Sequence, residues 1–117
     1  MDSILNSIKK LLGIAEDYTN FDNDLIMHIN SVFMILNQLG VGPKDGFTIT
    51  NEKDIWNDFI KDTKNIESIK SYIYLKVKLM FDPSASSVVT ESINKTISEL
   101  EWRLNVSADN PTTDKTE

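Results

Sequence analysis

Side chains able to do chemistry are few in this chain and poorly placed for it. His28 is the only histidine, and the nearby Asp22 and Asp24 do not complete a set of nucleophile, base and orienting group around it. It reads as a surface or interhelix histidine. Asn20, Asp22, Asn23 and Asp24 carry the oxygen donors of a calcium loop, but the glycine at its sixth position and the glutamate at its twelfth are absent. These acids suit a helix N-terminus, where the macrodipole favours negative charge. Gly40 to Gly46 has the glycine density of a phosphate-cradling loop. Such a loop, however, leads from a strand through Gly-Lys-Ser/Thr into a helix, whereas these glycines follow a helical stretch and precede an extended one. A helix cap followed by a turn is the simpler reading. With no cysteine, disulfides, thiolate metal sites and cysteine nucleophiles are excluded. No catalytic, cofactor-binding or metal-ligating set emerges, and the chain reads as a non-enzyme without a cofactor.

Charge narrows the partners further. Lys61, Lys64, Lys70, Lys76 and Lys78 form a basic strip in one dimension, yet at helical spacing they scatter around the cylinder and read as a solvated face. The formal charge is -6 and the pI near 4.7, which argues against tight nucleic-acid binding, since that needs clustered Lys and Arg to neutralise phosphates. No run reaches the roughly 18 apolar residues of a membrane span, and the N-terminus lacks the pattern of a signal peptide. The expectation is a soluble protein made in a cytoplasm.

The elements that would position these residues are helical. At 117 residues the chain is long enough to bury a core of its own without staples. The stretch from Asn65 to Pro83 is free of Gly and Pro until its last residue, and predicts one central helix. Projected at about 100° per residue, Ile66, Ile69, Ile73, Val77 and Met80 make one apolar stripe, and Tyr72, Leu75 and Leu79 a second. Two stripes demand neighbours on two sides. Glu67, Lys70, Ser71, Tyr74 and Lys78 fill the remaining arc. Ahead of it, Ile4, Leu5, Ile8, Leu11 and Leu12 predict a first helix, capped by Asp2 or Ser3 and ended at Gly13. Thr19 to Asp22 offers a capping box to a second helix over about 22–39, with Leu25, Ile26, Ile29, Val32, Phe33, Leu36 and Leu39 on one face. Phe47 to Thr50 alternates as a short strand with no second strand-like run to pair with it. A short helix near 51–60 carries Ile55, Trp56, Phe59 and Ile60, and Asp62 with Thr63 supplies polar groups to begin the central helix. After a turn at Ser84 to Ser87, Val89, Ile93, Ile97, Leu100 and Leu104 stripe a last helix, and from residue 106 the sequence is polar enough for a mobile tail. The fold class is all-α: a small bundle of four to five helices with one strand-like arm between the second and third, as a domain over 1–105 and a tail over 106–117.

Surfaces left over are candidates for partners. Trp102 projects opposite the stripe of the last helix, so it either packs under the tail or anchors a partner. Phe47 and Ile49 give the arm one apolar side, and Tyr74 and Lys78 lie on the open edge of the central helix.

Four blocks then carry a resemblance. Ile4-Leu-Asn-Ser-Ile-Lys-Lys-Leu-Leu-Gly-Ile14, Asp24-Leu-Ile-Met-His-Ile-Asn-Ser-Val-Phe33 with Leu39-Gly-Val-Gly-Pro43, Tyr72-Ile-Tyr-Leu-Lys-Val-Lys-Leu-Met-Phe-Asp-Pro83, and Glu99-Leu-Glu-Trp-Arg-Leu104 together resemble the head–tail connector proteins of tailed bacteriophages and Gram-positive prophages. The likeness runs in order over nearly all of residues 2–106. It implies a small helical adaptor that assembles as a ring, usually twelve-fold, beneath the portal protein, extends the DNA channel and meets a tail or stopper protein. It also implies a place at the head–tail junction of the virion after assembly in the host cytoplasm, and no catalytic residues. The rival reading is a small cytoplasmic helical regulator, antitoxin-like, that uses the same exposed groups on one partner.

Three expectations follow from the sequence. Truncation after Asn105 leaves the melting temperature nearly unchanged and weakens docking. Replacement of residues 42–50 by a glycine and serine linker keeps the melting transition and abolishes ring assembly, if the arm pairs with a neighbouring subunit rather than folding back over its own helices. Ile73→Asp is expected to unfold the protein, because it places an unpaired carboxylate on the larger stripe of the central helix. Loss of the cooperative melting transition in circular dichroism is the expected result, and a soluble variant that melts cooperatively would move the core elsewhere.

Overall fold

The computed structural model describes residues 3–61, 65–81 and 86–109, the side chains as far as Val106. Its helices are α1 (Ile4–Leu12), α2 (Asp22–Gln38), α3 (Trp56–Phe59), α4 (Ile66–Phe81) and α5 (Ser87–Asp109). Among the described residues there is no strand, only an isolated antiparallel bridge between Ser3 and Ile55. The fold is an all-α bundle. Asp2, Asp62, Thr63, Pro83 and Ser84, to which caps and turns were assigned above, lie outside the described residues.

α4 sits at the centre and packs against α1, α2 and α5. Ile69, Tyr72, Ile73 and Val77 are fully buried on it, while Ile66, Leu75 and Leu79 are half-buried against the same core. Met80, expected in the larger stripe, is instead 42% exposed. It belongs to the last turn, where Phe81 makes the apolar contact, its ring 5.1 Å from that of Phe21. α2 contributes Leu25, Ile29, Val32, Phe33 and Leu36, and α1 contributes Ile4, Leu5 and Ile8. The Ser3 hydroxyl accepts from Asn6 N at 3.2 Å to cap α1, which ends at Gly13 with φ 82°. Leu11 faces outward, 49% exposed.

The turn into α2 differs from the expected capping box. Phe21 is the N-cap and gives no side-chain bond, and Thr19 contributes its backbone carbonyl to Asp22 N. Asp22 is engaged elsewhere. Lys9, with no exposure at all, donates to the carbonyls of Glu16 (3.0 Å) and Tyr18 (2.7 Å) and lies 2.9 Å from Asp22 Oδ1. The Asp22 contact is an ion pair without the directionality of a hydrogen bond. Burying an ammonium is tolerable only because these oxygens replace its water.

The segment after α2 is not a free arm. Phe47 is half-buried and Ile49 is only 1% exposed. The strand's missing partner is a side chain: Asn30 Oδ1 accepts from Ile49 N at 2.7 Å while Asn30 Nδ2 donates to Ile49 O at 3.0 Å. Two turns further along α2, Asn37 Nδ2 donates to the carbonyls of Pro43 and Lys44. The primary amide carries a donor and an acceptor side by side, as a strand residue does, so α2 satisfies the extended backbone without a sheet. Phe47 joins Phe33 and Phe59 in an aromatic trio with centroids 5.1, 4.7 and 5.4 Å apart. A linker in place of residues 42–50 therefore removes part of the core, and the expected unchanged melting does not follow.

Residues 50–60 return to α1. Asp54 Oδ2 accepts from Thr50 N and Asn51 N, Asp54 O accepts from Ile4 N, and Trp56 Nε1 donates to the Ser7 hydroxyl at 3.1 Å. Lys70 of α4 lies over the Trp56 ring, 5.4 Å from its centroid. α5 closes the bundle with Ile97 and Leu104 buried and Ile93 and Leu100 half-buried, while Val89 at its start is 45% exposed. The helix continues through Val106 to Asp109, past the boundary expected at residue 105.

Two glycines in the loop give a controlled comparison. Gly42 and Gly46 both have φ 92°, but a Cβ at Gly42 would lie 2.8 Å from Phe59 Cζ and nearer still to Cε1, whereas one at Gly46 meets nothing within 4 Å. Gly46→Ala should cost about 1–2 kcal/mol from backbone strain alone. Gly42→Ala should cost about 3 kcal/mol, because a displaced Phe59 ring adds an overpacking penalty. Urea midpoints of the two variants check the order.

Candidate functional site

Among the described residues no three His, Asp or Glu side chains converge to hold a metal ion, and His28 is half-buried on α2. What the fold displays is surface. Of the residues put forward as interface, Trp102 is the one that stands out, 67% exposed on α5. Tyr74 is half-buried against the core, Lys78 is half-buried one turn later on α4, Ile49 is internal, and Phe47 is shared between the aromatic trio and the surface. The structure does not bring them together in one patch.

Phe47 instead helps to form a groove on α2. Met27, Asn30, Ser31, Met34 and Asn37 make one side and Asp45 to Thr48 the other, around about 550 Å³. Met27 and Met34, seven residues apart, are 59% and 61% exposed. They lie off the buried stripe of α2, so burial in the monomer does not account for them. That spacing was the available signal: two large apolar residues two turns apart on the polar side of a helix. The loop wall was not legible, because it depends on the Asn30 and Asn37 bonds.

The presentation of Trp102 depends on how α5 is seated. Tyr72, buried on α4, donates from its hydroxyl to Glu101 Oε2 at 2.7 Å, and Asn105 Nδ2 donates to Leu39 O at 3.3 Å. These bonds flank Trp102 in sequence and fix the rotation of α5, so the indole is held outward on an anchored turn. Burial pushes the Tyr72 phenol well above its ordinary value, and the hydrogen bond and negative charge of Glu101 act in the same direction.

With the bundle, its groove and its displayed indole described, the comparisons assign the family. The family model described as "Phage connector protein" matches residues 4–111. The chain belongs to the phage connector proteins. No curated protein and no solved structure matches it. The matched span of this connector takes in all the helices of the described residues together with the groove and Trp102, so both surfaces belong to the family's domain. Membership also makes it a structural protein of phages; no helix among the described residues is long and apolar enough to cross a membrane.

The seating of α5 can be tested by pH. Because the folded protein holds the Tyr72 proton more tightly than the unfolded chain, this contribution is fully present below the ordinary phenol value and is lost as pH rises above it. Between about pH 9 and about pH 11 the connector should lose about 1.4 kcal/mol more stability than its Tyr72→Phe variant. At neutral pH that variant should be weaker by about 1 kcal/mol for want of the hydrogen bond to Glu101. Urea denaturation of both proteins at the two pH values measures the difference.

Proposed function

We propose that this connector is the subunit of a homo-oligomeric ring, twelve-fold in the virion, that docks on the portal protein, extends the DNA channel and receives a tail or stopper protein on its far side. The observation that carries this reading is the family match over residues 4–111. Two features of the chain support it. A net charge of -6 suits a channel wall past which DNA moves, since a surface without clustered cations does not hold phosphates. And a subunit with a closed core that still displays Trp102 and a methionine-lined groove keeps its contacts for neighbours. Assembly takes place in the host cytoplasm and the finished ring lies at the head–tail junction.

Purified connector mixed with purified portal protein should form a complex that sediments as portal plus a ring of connector copies. Trp102→Ala should leave the melting temperature unchanged, because the indole is mostly in water, and should lower the amount of connector bound to portal at least about tenfold, as truncation of an interface anchor does. A species that remains strictly dimeric and ignores portal would favour the small-regulator reading in its place.

A further inference from the structure

We propose that the groove between α2 and the 45–48 loop is the socket for Trp102 of a second copy of this chain, the two engaging head to tail. This rests on the ring reading above and gives it a contact at the level of residues. The socket has the right character for an indole. Its volume of about 550 Å³ falls within the range of about 300–1,000 Å³ that receives compact apolar groups. Met27 and Met34 at its mouth are unbranched and polarizable, suited to an aromatic face, and Phe47 supplies an aromatic wall held by Phe33 and Phe59. The plug has the matching character. Trp102 is a large aromatic, 67% exposed, on a helix whose rotation is fixed by hydrogen bonds on either side of it, so little freedom is lost when it docks.

Geometry requires two molecules. Trp102 is not among the residues lining its own groove, and α4 packs against both α2 and α5 while Met34 and Trp102 occupy sides of those helices that it leaves uncovered. Plug and socket are different surfaces of one subunit, which is the requirement for a heterologous contact that can repeat around a ring; a two-fold contact would instead pair each surface with itself.

Charge supports the same pairing. Asp45 stands exposed at the groove, and Lys95 lies two turns before Trp102 on the same face of α5, about 10 Å along the axis. Neither makes an ion pair with another described residue. Glu99 on that face is paired with Arg103, so Lys95 is the nearest unpaired charge to the indole on it, and docking sets it towards the Asp45 wall of the groove.

The chain has no cysteine, so single introduced thiols report on this contact alone. Thr48→Cys in the wall of the groove and Ser98→Cys one turn before Trp102 both replace exposed side chains, leave the indole and the two methionines in place, and should retain the parent melting transition. Mixed in equal amounts under mild oxidation, free in solution and bound to portal, the two variants should form the mixed disulfide about tenfold faster than either forms its own homodimer, the ratio given by a contact preference of about 1.4 kcal/mol. Equal rates, a faster homodimer of either variant, or no disulfide among copies bound to portal would overturn the proposal. Copies that bind portal without the mixed preference remove this contact and leave the ring reading standing. Copies that ignore portal yet show the preference keep the contact and remove the ring.

Discussion

Tyr72 and Ile73 are neighbours in sequence, point about 100° apart around α4, and are both fully buried. A single helix that must be dry on two sides cannot lie on the surface of the molecule; it has to be enclosed by others, and α1, α2 and α5 enclose it. Everything else takes its position from that requirement. α2 presents its most apolar face inward, which leaves Met27 and Met34 outside. α5 carries a thinner stripe, so its rotation is fixed by polar bonds as well, from Tyr72 to Glu101 and from Asn105 to the end of α2. The indole of Trp102 is outward because Leu100, Glu101 and Leu104 are committed inward.

The helices were legible in the sequence because their apolar residues repeat with the helical period, and a period is a local signal. Ile69, Ile73 and Val77 lie inside for that reason, and Leu25 to Leu36 likewise. What the period did not reveal is how polar groups are satisfied at a distance. The stretch from Phe47 to Thr50 alternates correctly for a strand, and a lone strand is unstable because its backbone is unpaired. Its partner turned out to be Asn30, nineteen residues earlier, supplying both halves of a strand-like pairing from one amide. An asparagine in a helix reads as a solvated residue until the chain that lies over it is known. Met80 was misplaced for another reason. The last turn of α4 makes its apolar contact through Phe81, which leaves Met80 exposed.

Lys9 shows the same limit in sharper form. It sits in a helix whose other buried residues are Ile4, Leu5 and Ile8, and it is as inaccessible as they are. An apolar side chain there would fill space but would leave the carbonyls of Glu16 and Tyr18 without their shared donor and the carboxylate of Asp22 without its counter-charge. The ammonium donates to two carbonyls and has its charge met by one carboxylate, all within the seven residues 16–22, so the path of the link between α1 and α2 is constrained by it. Leucine-like packing tolerates several arrangements of a linker; a buried cation does not. The aromatic run of Tyr18, Phe21 and Phe81 then covers the outside of this turn and ties it to the end of α4.

The function of this structural connector was legible in sequence only through family resemblance and through apolar groups out of place. The physics of such surfaces sets a limit on how sticky they can be. One indole in one groove buries about 150–250 Å², well short of the roughly 800 Å² per partner of a stable pair. In the proposed ring, contacts of that size would be too weak to hold free subunits together in the cytoplasm and strong enough once a portal has gathered the copies, because each bound subunit raises the effective concentration of its neighbour's groove. A bulkier or more apolar plug would lose that separation and drive assembly away from the template. The exposed Trp102, the one aromatic on a face that otherwise carries Glu91, Lys95, Glu99 and the smaller Val88 and Val106, has the composition that such a limit selects.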